Sequence, residues 1–293
     1  MRPLVIFGCG YTGKRVALRW LAEGGEVIAT TRRPESLHLK GARIVAMDAS
    51  NRLSLSKLHE VVPDGCAVLH SLPVIDEPEA IDPTPRLLQV LDGRAARLVY
   101  LSTTGVYGRT QVVDHQTPTA PGSARLKLRV EAERAVAGAG CSWLVLRPAA
   151  IYGPWRGVHA SMREGRFALS GDGSSYTSRI HLDDLAAHTV AGLRSDVSGS
   201  FPVADMEPCP SIDVARFCAD LMDLPMPQTV STEQLSETRR SNRKVNGERI
   251  RSLLGLELRY PSYREGIISA LHEERRANPL SNGGFTLRQH FQH

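Results

Sequence analysis

The sequence predicts an α/β fold, a doubly wound parallel sheet with a small, mostly helical C-terminal lobe. Three observations carry this expectation. The chain opens on an apolar run, Leu4-Val5-Ile6-Phe7, that feeds the turn Gly8-Cys9-Gly10-Tyr11-Thr12-Gly13 and then a helical pattern. Short apolar runs alternate with helical stretches through the first half, the signature of βαβ units. After Arg147-Pro148 the alternation loosens into a Gly- and Arg-rich segment, 153–173, and then into helices joined by turns.

In order, strands are expected at 3–7, 26–31, 43–47, 66–70, 97–102 and 143–147, with helices at 12–23, 54–61, 84–92 and 123–138. Residues 72–85 hold four prolines and several acids, which argues for an ordered loop. A strand at 177–182, a helix at 183–194 and a strand at 200–203 follow, then helices at 211–222 and 246–254. The domain reading assigns 1–155, with 177–205 returning, to a Rossmann-type domain. Residues 156–176 and 206–272 form the substrate lobe, and 273–293 a mobile tail whose Glu273-Glu274-Arg275-Arg276 cluster is solvated. A site is expected at the carboxyl ends of the strands.

Bulk composition narrows the function classes. The 293 residues are 42% hydrophobic and 23% charged, ordinary for a globular protein able to bury a large core. The net charge of +5 is mild and the arginines are scattered, so nucleic acid is not an expected partner. No apolar stretch approaches the ~20 residues of a membrane span. The start of the chain lacks the pattern of a secretory signal, so a cytoplasmic protein is expected. The five cysteines are odd in number, irregularly spaced and without a C-x-x-C pair, which argues against disulfides and against a metal site.

The opening turn has the chemistry of a dinucleotide site. Gly8 permits the tight turn, Gly10 lets backbone approach phosphate, and Gly13 lets the helix pack on the strand. The helix N-terminus offers free N–H groups and partial positive charge to a pyrophosphate. Cys9 reads as packing within that turn, not as a nucleophile. Where a carboxylate would favour NAD, this chain has Thr31-Arg32-Arg33. A guanidinium there can bond a 2′-phosphate, so NADP(H) is expected over NAD(H).

Five ordered segments resemble the short-chain dehydrogenase/reductase superfamily, in its extended and atypical branches related to nucleoside-diphosphate-sugar epimerases. They are the glycine turn from Gly8 to Gly13, Met47-Asp48-Ala49, the run from Tyr100 to Gly108, the Leu146-Arg147-Pro148 segment ending in Tyr152-Gly153-Pro154, and Arg179-Ile180-His181-Leu182-Asp183-Asp184. The resemblance implies that Cys9, Tyr11 and Thr12 with the glycines, and Asp48 with Ala49, contact the cofactor. It also implies that Lys127 binds the nicotinamide ribose and that Thr103 polarises the substrate oxygen. A homodimer through 84–92 and 123–138 is the corresponding oligomer.

The family's acid is a tyrosine four residues before the lysine, on one helix face. Here that position is Ser123. Three readings follow: an enzyme with another proton donor or needing none there, a cofactor binder without turnover, and a serine that caps the helix. His181, Tyr107, Tyr152 and His159 are the substitute donors, and Ser123 itself can orient a water. Asp183 or Asp184 is expected to cap the helix that follows. Arg156, Arg163, Arg166 and Arg179 favour an anionic substrate, with Arg156, Arg179 and Tyr107 assigned to binding it. The expected function is an NADP(H)-dependent oxidoreductase or epimerase/dehydratase-like enzyme on a small anionic metabolite. The alternative is a non-catalytic NADP(H)-binding regulator or scaffold.

Overall fold

The computed structural model describes residues 1–75, 80–234 and 241–278. Seven parallel strands form the central sheet: β1 (Leu4–Phe7), β2 (Val27–Thr31), β3 (Arg43–Ala46), β4 (Cys66–His70), β5 (Ala95–Leu101), β6 (Ser142–Pro148) and, after two short strands, β9 (Gly199–Val203). The two short strands, β7 (Ala150–Tyr152) and β8 (Arg179–His181), pair in parallel beside it. The sheet order is β9-β6-β5-β4-β1-β2-β3. Chain direction therefore reverses its lateral progress between β1 and β4, the place where open α/β sheets bind ligands.

Helices α1 (Tyr11–Ala22), α2 (Arg52–Ser56), α3 (Thr84–Leu91), α4 (Ala124–Ala137) and α6 (Leu182–Arg194) cover the two faces. Side chains alternate across the strands, as a period of two demands. Leu4, Ile6, Leu69, Val99 and Leu144 join Val16 and Trp20 of α1 and Leu185 of α6 in one core. Val5, Phe7, Val68, Leu98 and Val145 join Leu87 of α3 and Ala132 and Val136 of α4 in the other. Burial on both faces explains the unbroken apolar reading of β1 and β4. Each fully buried Leu, Ile or Val contributes about 1.5–3 kcal/mol.

The lobe is helical: α5 (Val158–Arg163), α7 (Ser211–Met222) and α9 (Tyr263–Ala277) pack around Tyr152, Met162, Val214, Tyr263 and Ile267. Two boundaries differ from the sequence reading. Helix α8 (Glu248–Leu254) places Ile250 in the core shared by α1 and α6, so this part of 206–272 belongs to the sheet domain. Residues 273–277 complete α9 and do not begin a tail, because Glu273 and Glu274 are tied to Arg15 and Arg163. The rest of the expected tail, 279–293, lies outside the described residues. Among the described residues no helix is long and apolar enough to cross a membrane.

Candidate active site at the carboxyl edge of the sheet

The glycine turn is held by its own backbone. Thr30 Oγ1 on β2 donates to Ile6 O at 3.0 Å and accepts from Gly8 N at 3.1 Å, and Cys9 N donates to Thr30 O at 2.8 Å. Gly8 sits at φ +83°, where a side chain is strained, and a Cβ there would lie 2.6 Å from Leu72 Cδ2. A Cβ on Gly13 would lie 3.1 Å from Gly8 O and 3.2 Å from Ile6 Cγ2, so any side chain there would require these neighbours to give by a few tenths of an ångström. At Gly10 a Cβ would meet nothing within 4 Å. Gly10 caps α1 without a side-chain hydrogen bond, and the first turn has no acid.

That combination, bare helix N–H groups above an open glycine, fits a dinucleotide pyrophosphate. Cys9 is buried, and burial pushes its thiol up to about 12, which removes it as a nucleophile. Thr12 is buried in the same turn. Tyr11 donates its hydroxyl to Pro154 O at 3.0 Å, and Arg156 Cζ stacks 5.2 Å from the Tyr11 ring centroid.

At the ends of β2 and β3 stand the groups expected to select the nucleotide. Arg32 and Arg33 are exposed, and Thr31 Oγ1 accepts from Arg33 N at 3.2 Å. Asp48 accepts from Ser50 Oγ at 2.6 Å and Ser50 N at 2.9 Å, bonds that hold its carboxyl below the usual range. Its neighbour Ala49 is buried.

Across the cleft lies α4. Ser123 occupies the N-cap position with extended backbone, yet its hydroxyl makes no capping bond, and Oγ is buried without a partner. The expected cap is therefore absent, and the hydroxyl is left buried without a partner at the start of the helix. Lys127 is exposed one turn on, its N–H donating to Ser123 O at 3.0 Å. Thr103 Oγ1 accepts from Gly105 N at 3.1 Å and starts the turn 104–107. That turn presses on α4: a Cβ on Gly105 would lie 2.9 Å from Leu126 Cδ2.

Behind these groups α4 buries charge. Glu133 accepts from Ser102 Oγ and pairs with Arg147 at 2.6 Å, and Arg147 donates to the Tyr107 hydroxyl at 3.0 Å. Tyr107 is thus fully buried and committed to Arg147, which corrects its assignment to substrate binding and removes it as a donor. One turn earlier Arg129 donates to Leu72 O at 3.0 Å and to the Tyr100 hydroxyl. Sequence reasoning missed this double network. Its signal was the i, i+4 spacing of Arg129 and Glu133 on a helix that also carries Val130 and Ala132.

The two histidines among the substitute donors are buried and engaged by neighbouring elements. His181 is 1% exposed, and its Nδ1 accepts from Asp183 N at 3.1 Å, so histidine and not an aspartate caps α6. Burial lowers its pKa to about 4 despite the nearby Asp183, and Tyr260 stacks on it with ring centroids 4.1 Å apart. Asp183 pairs with Arg15 at 3.3 Å, and Asp184 accepts from Arg259 N and Tyr260 N. His159 is fully buried, with Nε2 donating to Glu274 Oε1 at 3.3 Å. Burial pulls Glu274 upward, but His159, Arg163 and the Trp155 N–H prevail and hold it at about 2.

Beyond Pro148 a cavity of about 220 Å3 opens between the sheet edge and the lobe. Ile151, Tyr152, Val158, Phe167, Val214 and Ile267 supply apolar wall. Thr177, Ser170, Ser175 and Ser211 supply hydroxyl groups, and Arg179 is the charged residue among the described lining residues. The Tyr152 hydroxyl donates away to Ser262 O at 3.3 Å. The expected arginine cluster is dispersed: Arg163 pairs with Glu274, Arg166 with Glu164, and Arg156 stands on Tyr11 at the glycine turn. Glu274 and Tyr11 lie more than a hundred residues away in sequence, which is why charge in 153–173 misled for Arg163 and Arg156, whereas Arg166 is paired within its own turn.

Comparison with known proteins agrees with this architecture. The chain is 28% identical over 308 aligned positions to a 3-diazoavenalumate denitrifying reductase from Streptomyces sp, covering 91% of this chain and 99% of that protein. A conserved protein of unknown function from Silicibacter pomeroyi matches with a TM-score of 0.77 and 29% identity, over 93% of this chain and 99% of that one. The Bordetella bronchiseptica enzyme WbmG, solved with NAD and UDP, shares the fold at a TM-score of 0.76 and 16% identity, over 95% and 94% of the two chains. Residues 4–201, from the first strand of the sheet into the last, match the NAD dependent epimerase/dehydratase family. With its glycine turn, switch-point topology and lobe in place, the chain belongs to that nicotinamide-dependent family.

Proposed function

We propose that the protein is an NADP(H)-dependent reductase of a small anionic metabolite in which position 123 supplies no phenol. The observation that carries this reading is Ser123, a helix-start serine whose buried hydroxyl bonds nothing in the protein. When bound, the reduced cofactor supplies a hydride, so the chain's remaining task is to hold the substrate and admit a proton. An aliphatic hydroxyl is a far weaker acid than a phenol. Ser123 therefore positions a water, and that water gives the proton, or the substrate takes none at this point.

Lys127, one turn on and exposed, is the residue for the nicotinamide ribose. Thr103 orients the reacting group, and the bare start of α1 receives the pyrophosphate. Arg32 and Arg33, exposed with no acid beside them in sequence, favour a 2′-phosphate over a free hydroxyl. Asp48 with Ala49 faces the adenine side. Arg179 anchors the substrate's anionic group, and Arg156, standing on Tyr11, lies at the cofactor's end of the cleft and not at the substrate's. The Streptomyces relative is named for a reductive reaction. Reduction, not that protein's substrate, is what we carry to this chain.

Titration of nicotinamide fluorescence tests the reading. NADPH should bind at least tenfold more tightly than NADH, and Arg32→Ala with Arg33→Ala should erase the difference. Equal affinities in the wild type overturn the NADP preference, and binding of neither overturns the cofactor site. Oxidation of bound NADPH by small carbonyl, imine or diazo acids separates an enzyme from a binding protein. Ser123→Tyr should then alter the pH profile of turnover by introducing an acid.

A further inference from the structure

Arg179 is 4% exposed and no carboxylate stands within ion-pair distance of it among the described residues. Its Nη1 donates to Thr177 O at 2.9 Å and to Cys209 Sγ at 3.3 Å, and its guanidinium stacks on Tyr263 with Cζ 5.7 Å from the ring centroid. Neither acceptor is an anion, and Arg179 is among the residues that line the cavity. Among the described residues the other buried arginines are compensated or more extensively bonded: Arg147 has Glu133, Arg129 lies 4.0 Å from Asp82, and Arg97 and Arg243 each donate three N–H bonds to backbone carbonyls or a hydroxyl. A desolvated cation without a counter-charge is costly, and a ligand that supplies the charge removes that cost.

The nearby acid does not fill the role. Asp205 follows β9, and its N–H donates to Arg179 O at 2.7 Å. Its carboxyl is 2% exposed with Oδ2 unpartnered, and burial pushes its pKa up to about 7 against the pull of Arg179. At neutral pH a substantial fraction of Asp205 is protonated, so it offsets the positive charge of Arg179 only in part.

The rest of the cavity fixes what else the ligand carries. Its walls are the aromatic ring of Phe167 and the aliphatic groups of Val158, Val214, Ile267 and Ile151. At about 220 Å3 it exceeds the roughly 150 Å3 cavity that takes up benzene. A sugar nucleotide has several times as many atoms as benzene, two phosphates and many hydroxyl groups, and would find one guanidinium among the described lining residues, so the cavity is matched to a smaller, singly charged ligand.

We infer that the substrate site selects a small monocarboxylate with a single apolar ring or chain, its carboxylate on Arg179 and its body against Phe167, Val158, Val214 and Ile267, and that it excludes nucleoside-diphosphate sugars. This rests on the reductase reading for the reaction, but binding is testable apart from it. The probes are benzoate, cinnamate, benzamide and UDP-glucose, titrated calorimetrically into the full chain with and without NADP+.

Benzoate or cinnamate should bind, with benzamide at least tenfold weaker because it has the shape without the charge. Arg179→Gln should abolish that tenfold preference, and Phe167→Ala should weaken both probes alike. UDP-glucose binding more tightly than the carboxylates overturns the proposal, as does equal binding of benzoate and benzamide to the wild type. Absence of carboxylate binding overturns it whether or not NADP+ binds, while the NADP+ titration alone reports on the cofactor site. The benzoate–benzamide contrast needs no variant, so a misfolded Arg179→Gln leaves the test standing.

Discussion

The glycine turn and the α4 flank stand at the same carboxyl edge of the sheet and are built from opposite materials. The turn is backbone: glycines, a helix start without a cap, and one threonine hydroxyl bridging Ile6 O and Gly8 N. The flank is side chain: Glu133, Arg147, Ser102 and Tyr107 locked in one buried network, with Arg129, Tyr100 and Leu72 O in a second. A backbone site tolerates little bulk but needs no charged partner, only neutral hydroxyl groups such as that of Thr30. A buried charge network needs every partner, because each unpaired member bears its full desolvation cost.

The comparison can be broken where it is strongest. Glu133→Ala should destabilise the protein by about 3–5 kcal/mol, since Arg147 and Ser102 lose their buried acceptor together. Denaturant unfolding at constant m-value measures this, and a loss below about 1 kcal/mol would mean that water enters the network freely. Next in size is the clasp between the lobe and the sheet edge. Glu274 is held at about 2, below an ordinary glutamate, so its contribution is complete above the ordinary range and is lost as pH falls through it towards 2. Glu274→Gln should therefore cost about 2–3 kcal/mol at pH 7, roughly half of that at pH 3 and little at or below pH 2, read from unfolding curves across that range. A pH-independent difference would assign the effect to packing.

On the turn side the effect should appear in binding and not in stability. Gly10→Ala adds a Cβ that meets nothing in the protein, so the melting temperature should hold while NADPH affinity falls roughly tenfold or more, about 1.4 kcal/mol. Unchanged affinity would move the pyrophosphate away from Gly10. The smallest contrast compares two serines at helix starts. Ser262 accepts from Arg264 N in a reciprocal box with Glu265, and Ser262→Ala should cost about 1 kcal/mol. Ser123 bonds nothing, so Ser123→Ala should change stability by less than about 0.5 kcal/mol, and a larger loss would show that the hydroxyl does cap α4 in solution.

Legibility in the sequence followed the same division. The strands of the central sheet were expected to within two residues, because alternating or continuous burial writes itself into consecutive positions. The loss of the family tyrosine was equally plain at Ser123. The roles of Tyr107, His181, Asp183 and the arginines after 153 were not. Tyr107 meets Arg147 forty residues on, and His159 and Arg163 meet Glu274 more than a hundred residues away. Nothing local distinguishes a free arginine from a neutralised one.

The sequence by itself determined the sheet, the glycine turn and the identity of the residues beside Lys127, since each depends on neighbours within one strand-turn-helix unit. Only the tertiary structure decided which charges are spent and which is free. It paired Glu133 with Arg147 and Glu274 with Arg163, and it left Arg179 buried at the wall of the cavity with no carboxylate of the described residues in ion-pair reach. Charge compensation depends on distance in space, and in this chain that distance is set by the packing of the lobe against the carboxyl edge of the sheet.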